Sequence, residues 1–464
     1  MSEQAAEASG PKNAKLVTGS IRGHLVSQTL PLVAGVAALM SVGIIDAYFI
    51  GQLGSSELAA VAFIFPITTA LSSLGVGVMA AIASVVSRAL GKGDDERARA
   101  LASLGMLLSL AIGLVIAISL YALRMPLFRL MQAEEQLLPL IDAYMVPFAL
   151  SFPLLPAMMA LNGTLRAQGA AKRSMIILLT SAVLNWILDP ILIVGAFGFD
   201  GFGIAGAAYA TIIAWGLTVA VAAYLLATTP IGISPRAIRH CDFRTDSLAI
   251  VRVAGPAAFS NSVNPAGLAI LTAFLASAGP AAVAAFGAGG RIQAFAIVPL
   301  LGLSGSIGAI VGQNWGAERF DRARRALVEA GIFSIGYGLA IGAALVFFRE
   351  SIASLFTEDE QVRQSLEHYL SISAWGYAGF GILIIANGAL NAIDRATSAL
   401  VQSILRVVLV MMPVAWLLRG AWGATAVYVA ELSANLFGGA LAVAVLLYVF
   451  RKARREREAP AAAN

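Results

Sequence analysis

The sequence predicts an all-α, polytopic membrane protein with twelve transmembrane helices in two parallel-repeat six-helix bundles. Three observations carry that prediction. The 464 residues are 59% apolar and only 12% charged, with a mean hydropathy of +0.83, against roughly 25% charged residues in a soluble domain. Apolar runs of about 20 residues, long enough to cross a hydrocarbon core about 30 Å thick, recur along the whole chain. Finally, five landmarks return at one offset of 225 residues: Pro31 with Pro256, Gly91 with Gly316, Arg97 with Arg322, Tyr144 with Tyr369, and Asn162-Gly163 with Asn387-Gly388. An offset that large means duplication of a whole bundle, since a solenoid repeats every few dozen residues.

The predicted spans are 25–50, 58–90, 101–123, 137–161, 174–198, 204–227, 247–277, 281–313, 326–348, 365–390, 397–418 and 424–450. Six spans per half is an even number, so both halves enter from the same side and are related by an axis along the membrane normal, leaving a cleft between them. The expected organisation is a tail at 1–22, an N-terminal lobe at 23–229, a linker at 230–246, a C-terminal lobe at 247–450 and a basic tail at 451–464.

Residues 1–22 are polar and carry no apolar core after Lys12 and Lys15, unlike a cleavable signal peptide, and are read as a disordered cytoplasmic tail. The first span contains Pro31 and Asp46. The second contains Pro66 and ends at Gly91 in the charged turn GKGDDERAR, matched by GAERFDRAR from Gly316 after the eighth; both read as a glycine closing a helix before a basic turn, with a gate lock as the competing reading. Pro147, Pro153 and Pro156 mark bends in the fourth span. In the fifth, Asn185 and Asp189 are four apart and share a helix face, and Pro190 kinks the helix by removing a donor. The stretch 230–246 holds Pro230, Pro235 and four basic or histidine side chains, as a linker between lobes would.

Of the 31 Lys and Arg residues, 24 fall in the tails and the even-numbered loops and five on the other side. The positive-inside rule then makes both termini cytoplasmic, places the chain in the cell inner (plasma) membrane, and accounts for the net charge of +5 without a nucleic-acid partner. The single cysteine, Cys241, excludes an internal disulfide or a cysteine metal cluster. His24, His240 and His368 do not cluster and no GxxxxGK[ST] loop occurs, so the chain is expected to be no enzyme and to need no cofactor.

Charges inside spans point to function. A carboxylate in hydrocarbon costs roughly 2.5–3.5 kcal/mol on insertion scales and usually faces a bundle interior or a watery cavity. Asp46 and Asp189 both sit past the midpoint of outward-running spans, at similar depth. Two carboxylates in low dielectric do not both ionise cheaply, so proton binding near physiological pH is expected; with Asn185 the nest also suits Na⁺. The competing readings are an interfacial Asp46 and an Asp189 that only stabilises its kink. Arg291, Arg406 and Glu431 are further intramembrane charges whose ordinary explanation is pairing with an opposite charge.

The stretches IDAYFIGQLGSSELAAVAF, SRALGKGDDERAR, LNWILDP and IVGQNWGAERFDRAR, with the duplicated plan, resemble the multidrug and toxic compound extrusion (MATE) family of secondary transporters from about Leu25 to about Tyr448. The resemblance implies a V-shaped pair of lobes and multidrug efflux of cationic or amphipathic small molecules by antiport with H⁺, favoured, or Na⁺, from a monomer in the lipid bilayer. Pro31 looks like the family's bending proline, and Asp46, Tyr144, Asn185, Asp189 and Thr211 resemble the ion-coupling cluster of the DinF-like branch, which is also the Na⁺ set at Asp46, Asn185, Asp189 and Thr211. The NorM-like branch carries a seventh-helix glutamate where GPAAFSNSVNP here has Asn261 and Asn264, which argues for ion coupling in the N-terminal lobe. Met40, Phe63, Phe152 and Arg291 are expected in the substrate cavity. A lipid-linked oligosaccharide flippase of the wider superfamily and a channel or non-transporting membrane protein are the alternatives.

Overall fold

The computed structural model describes residues 11–461 apart from Phe197, with side chains through 456. Residues 1–10 and 462–464 of the expected tails lie outside the described residues. Ten helices are long and apolar enough to span a membrane: Ile21–Gly51, Ser55–Gly91, Asp95–Leu130, Ala171–Val194, Ile204–Ala227, Phe243–Ala278, Phe320–Phe347, Glu360–Ala392, Ala396–Trp422 and Ala424–Glu456. Two bent pairs, Leu138–Ser151 with Leu154–Ala167 and Pro280–Ala296 with Val298–Gly316, supply the fourth and eighth spans and bring the total to twelve. Each pair turns by 42°. The fourth breaks at Pro153, as its prolines predict, and the eighth just before Pro299, where a backbone donor is missing.

The helices run a turn or more beyond the apolar runs because polar caps extend them. Asp94 accepts from the Arg97 amide, and Asp242 from those of Arg244 and Thr245, satisfying first-turn donors that otherwise have no partner. The first span is one continuous helix through Pro31. At Pro190 the fifth relaxes into a π-helical turn, Pro190–Val194, so the kink is real and takes the form of a widened turn.

One end of the molecule carries the basic loops and both ends of the described chain; we call it the basic end. There the lobes share cores: Val78, Ile82, Val85 and Val86 of the second span pack with Ile250, Val253 and Ala254 of the seventh. Toward the opposite end each lobe has a core of its own, around Phe128, Ile141 and Phe152 in the N-terminal lobe and around Phe286, Tyr369 and Tyr428 in the C-terminal lobe. The lobes are thus sealed at the basic end and separate from there, which is the V.

The seal explains the repeat. A Cβ on Gly91 would run into the Gln313 carbonyl and one on Gly316 into that of Arg88, so both are glycine to let the second and eighth spans touch. Both glycines also end their helices, as expected, and the left-handed residues in the turns that follow are Gly93 and Glu318. Ser84 donates to the carbonyls of Asn391 (2.6 Å) and Ala392 (3.1 Å), Arg88 to Ala392 (2.8 Å), and Gln313 to Ala167 (2.6 Å) across the seam. Gly163 and Gly388 likewise remove Cβ atoms where the fourth span meets Met79 and the tenth meets Ser304.

The tail departs from expectation too. Residues 11–20 form a strap packed over this seam, with Leu16 and Val17 only 2% and 0% exposed. Its backbone is held by the C-terminal lobe: Leu16 N–H donates to Gln313 Oε1 (2.9 Å), and Asn314, Arg319 and Arg322 donate to the carbonyls of Leu16, Val17 and Gly19. Asn13 donates to Asp95 of the N-terminal lobe (2.5 Å), and Pro11 and Leu16 pack at Gly93 and Gly169. The charged character of the segment hid this, because most of its anchoring uses backbone groups. The linker also packs down: Ile231 is fully buried and exchanges hydrogen bonds with Gln168, while Arg97 pairs with Asp246.

Candidate functional site

The first and fifth spans cross in close contact where Gly35 lets Leu178 pack against the helix backbone. From that crossing both helices run toward the opposite end. Eleven residues on, at about 1.5 Å rise per residue, they bring Asp46 and Asp189 to one level, and the two carboxyl groups meet. Asp189 is 0% exposed and Asn185 2%. Apart from that meeting of carboxyls, Asp46 Oδ1, Asn185 Oδ1 and both oxygens of Asp189 receive no hydrogen bond among the described residues. Tyr144 lies within electrostatic reach of both carboxyls, its ring stacked on Phe148 at 5.7 Å. Asn185 donates its amide to the Ser181 carbonyl (2.8 Å), which leaves its oxygen buried without a donor.

Buried acceptors left without donors are costly, about 1–3 kcal/mol each and more when charged, and a proton or a cation placed among these oxygens would relieve that cost. Thr211 donates to the Ala207 carbonyl of its own helix (3.0 Å) and makes no other side-chain hydrogen bond among the described residues. Sequence reasoning missed Ser181 and Thr218, both fully buried with unpartnered hydroxyls. Ser181 sits one turn below Asn185, a spacing that the sequence displays.

The C-terminal lobe has its own buried polar centre. Gln293 donates to Glu431 Oε1 (2.5 Å), and Tyr369, the repeat partner of Tyr144, lies beside the same carboxyl. Arg406 was expected to pair with a carboxylate. Instead its guanidinium donates to the amide oxygens of Asn435 (2.5 Å) and Asn264 (2.6 Å) and stacks over Phe380 at 4.8 Å. The widened π turn Arg406–Met411 on which it begins aims it into the lobe, where neutral amides satisfy it at close range.

The cleft candidates divide. Phe152 is fully buried in the core of the N-terminal lobe, where the break at Pro153 turns that stretch inward, so it does not line the space between the lobes; Phe63 of the second span is half-buried and packs against the same core. Met40 continues the stripe of the first span on which Thr29 meets Ser306 (2.8 Å) and Val33 meets Gly302, since 29, 33 and 40 share one helical face. Arg291 is exposed on the first half of the bent eighth span.

A family model described as MatE matches residues 31–191 and 256–417, one copy per lobe. The chain belongs to the MatE family. It is 35% identical over 409 residues, 86% of this chain and 88% of the relative, to a protein of Shewanella oneidensis named FAD transporter. It is 27% identical over 432 residues, 91% of this chain and 92% of the relative, to the multidrug export protein MepA of Staphylococcus aureus. Among solved structures it is similar to the Vibrio cholerae MATE transporter VcmN in the bent form, with a TM-score of 0.87 at 32% identity over 94% of this chain and 97% of that one. As a MatE protein the chain is a multi-pass membrane transporter and no enzyme, and the V-shaped pair of lobes is the arrangement of that fold.

Proposed function

We propose that this MatE protein exports amphipathic, including cationic, small molecules by proton-coupled antiport, with the Asp46–Asp189 pair carrying the proton. The observation that carries the reading is the meeting of the half-buried Asp46 carboxyl with the fully buried Asp189 carboxyl, with no hydrogen-bond donor outside the pair for Asp46 Oδ1 and both oxygens of Asp189, behind a cleft open at the opposite end. One proton shared by the pair removes the repulsion; two charges in that setting are expensive. The basic end is taken as cytoplasmic by its Lys and Arg excess, in the plasma membrane, so the cleft opens outward. Protonation from outside then changes the hydrogen bonding between the first and fifth spans, Pro31 supplies the weak point at which the first helix bends, and the cleft wall carrying Met40 moves. Cargo leaves, and deprotonation toward the cytoplasm resets the pair.

One proton moving down 100 mV supplies about 2.3 kcal/mol, enough for roughly a fiftyfold gradient of neutral cargo. The names of the relatives, an FAD transporter and multidrug export proteins, support ring-bearing amphiphiles as the cargo class. Na⁺ is the second reading: the Asp46, Asn185 and Asp189 oxygens are the hard donors that such an ion takes, with Thr211 one helix away. The test is transport in proteoliposomes with pH and Na⁺ gradients imposed separately, for the wild type and Asp46→Asn. Proton coupling requires uptake driven by the pH gradient alone and its loss in the variant. Undiminished pH-driven transport by Asp46→Asn sinks the role of the pair, and a response to Na⁺ alone replaces the proton.

A further inference from the structure

The eighth span seals the lobes along one helical stripe. Gly302 faces Val33, Gly305 faces Leu32 and Arg166, Gly312 faces Ser87, and Gly316 faces Arg88. At 100° per residue, Arg291 falls on the continuation of this stripe, eleven residues beyond Gly302 and past the bend. Its position is opposite the face that buries Ala285, Phe286, Gly289 and Gln293 in the C-terminal lobe. Beyond the bend the N-terminal lobe has fallen away, so the stripe opens into the cleft. Arg291 makes no hydrogen bond or ion pair among the described residues, and added Cβ atoms on the neighbouring Gly287 and Gly290 would meet nothing within 4 Å.

The other intramembrane charges are turned away from it: Arg406 and Glu431 lie inside the C-terminal lobe, and Asp46 and Asp189 behind the first span. Across the cleft the wall is apolar, with Met40, Ile44 and Pro66 on the corresponding stripes. An intramembrane arginine that faces a cavity without a partner marks a pathway. Guanidinium offers a planar fork of donors that fits the oxygens of a phosphate two at a time, and an adaptable methionine opposite suits a ring system.

We propose that Arg291 is the anion-recognising residue of the cleft, and that the cargo of this chain includes ring-bearing amphiphiles carrying a phosphate ester. The ring lies against the Met40 wall and the phosphate on Arg291. This rests on the transport reading above and narrows its substrate class beyond organic cations.

Two flavins that differ by one phosphate, riboflavin and flavin mononucleotide, provide the test. Wild type, Arg291→Gln and Arg291→Lys are reconstituted into phosphatidylcholine liposomes with and without phosphatidylglycerol, and uptake is followed by flavin fluorescence under a pH gradient. Arg291→Gln should lower flavin mononucleotide transport by about tenfold or more and change riboflavin transport by less than about twofold, with Arg291→Lys in between. In the wild type, flavin mononucleotide should compete with riboflavin uptake better than riboflavin itself does, a measurement that needs no variant to fold. Equal loss of both flavins, or weaker competition by the phosphate ester, overturns the proposal. So does an effect of Arg291→Gln on both flavins that appears only with phosphatidylglycerol, which would make Arg291 a reader of lipid headgroups. A wild type that moves ethidium but not flavin mononucleotide fails this inference alone; one that moves neither under the gradient fails the transport reading and this inference with it.

Discussion

The strap over the basic end yields a quantitative expectation. Replacing Leu16 with Asp puts a carboxylate into a site only 2% exposed, between Gly169 of one lobe and Gln313 and Asn314 of the other. Losing the leucine burial removes roughly 1.5–3 kcal/mol, and displacing the strap removes two backbone hydrogen bonds worth about 0.5–1.5 kcal/mol each. Part of this returns when the freed groups meet water, so about 3 kcal/mol is a fair figure, on the order of a hundredfold in the equilibrium between sealed and open basic ends. The seam offers a direct probe. Ser84 is 1% exposed beneath the strap, at the contact with Asn391 and Ala392. In a Cys241→Ser, Ser84→Cys background, a membrane-impermeant maleimide applied to the basic side should label the seam about a hundredfold faster once Leu16→Asp is added. An unchanged labelling rate in folded protein refutes the view that the strap holds the seal.

Two further outcomes follow from the same contacts. Glu431→Gln keeps the shape that Gln293 bonds and removes a charge from the lobe without the carboxylate pair, so pH-driven export should change by less than about threefold where Asp46→Asn abolishes it; a loss as complete as that of Asp46→Asn would place coupling in both lobes. Burial, with Asp246 alongside, pushes the Cys241 thiol up from its ordinary value. The thiolate is the reactive form, so labelling of this single cysteine should be slow at neutral pH and still be accelerating at a pH where labelling of an ordinary thiol has levelled off, and an impermeant reagent should reach it in inside-out vesicles but not in right-side-out ones.

Much of the site was legible because charge in an apolar run is conspicuous. Asp46 and Asp189 stand out in their spans, their depth follows from counting residues, and the structure brings their carboxyl groups together. Asn185 belongs by its four-residue spacing. Phe63 and Phe152 were not legible in this way. An aromatic on a membrane helix faces lipid, lobe interior or cleft with equal ease, since all three surfaces are apolar and no amphipathic stripe tells them apart. The same ambiguity concealed why Arg291 and Arg406 differ: the sequence presents two intramembrane arginines, and only packing turns one onto Asn264 and Asn435 and the other into the cleft.

The sequence by itself determined the number of spans, the duplication and the confinement of the paired carboxylates to one half, because hydropathy, offset and residue identity are properties of the chain. Asp46 answers to Leu271, and Asp189 to Val414, in the second copy. Tertiary structure decided which end the lobes close, that Gly91 and Gly316 serve that closure, that residues 11–20 bind across it, and that Glu431 meets Tyr369 from a helix the repeat gives no cause to expect. Each of these depends on which face of a helix meets which neighbour. In a bilayer the hydrophobic effect is indifferent to that choice, so close backbone approach and the satisfaction of buried polar groups make it.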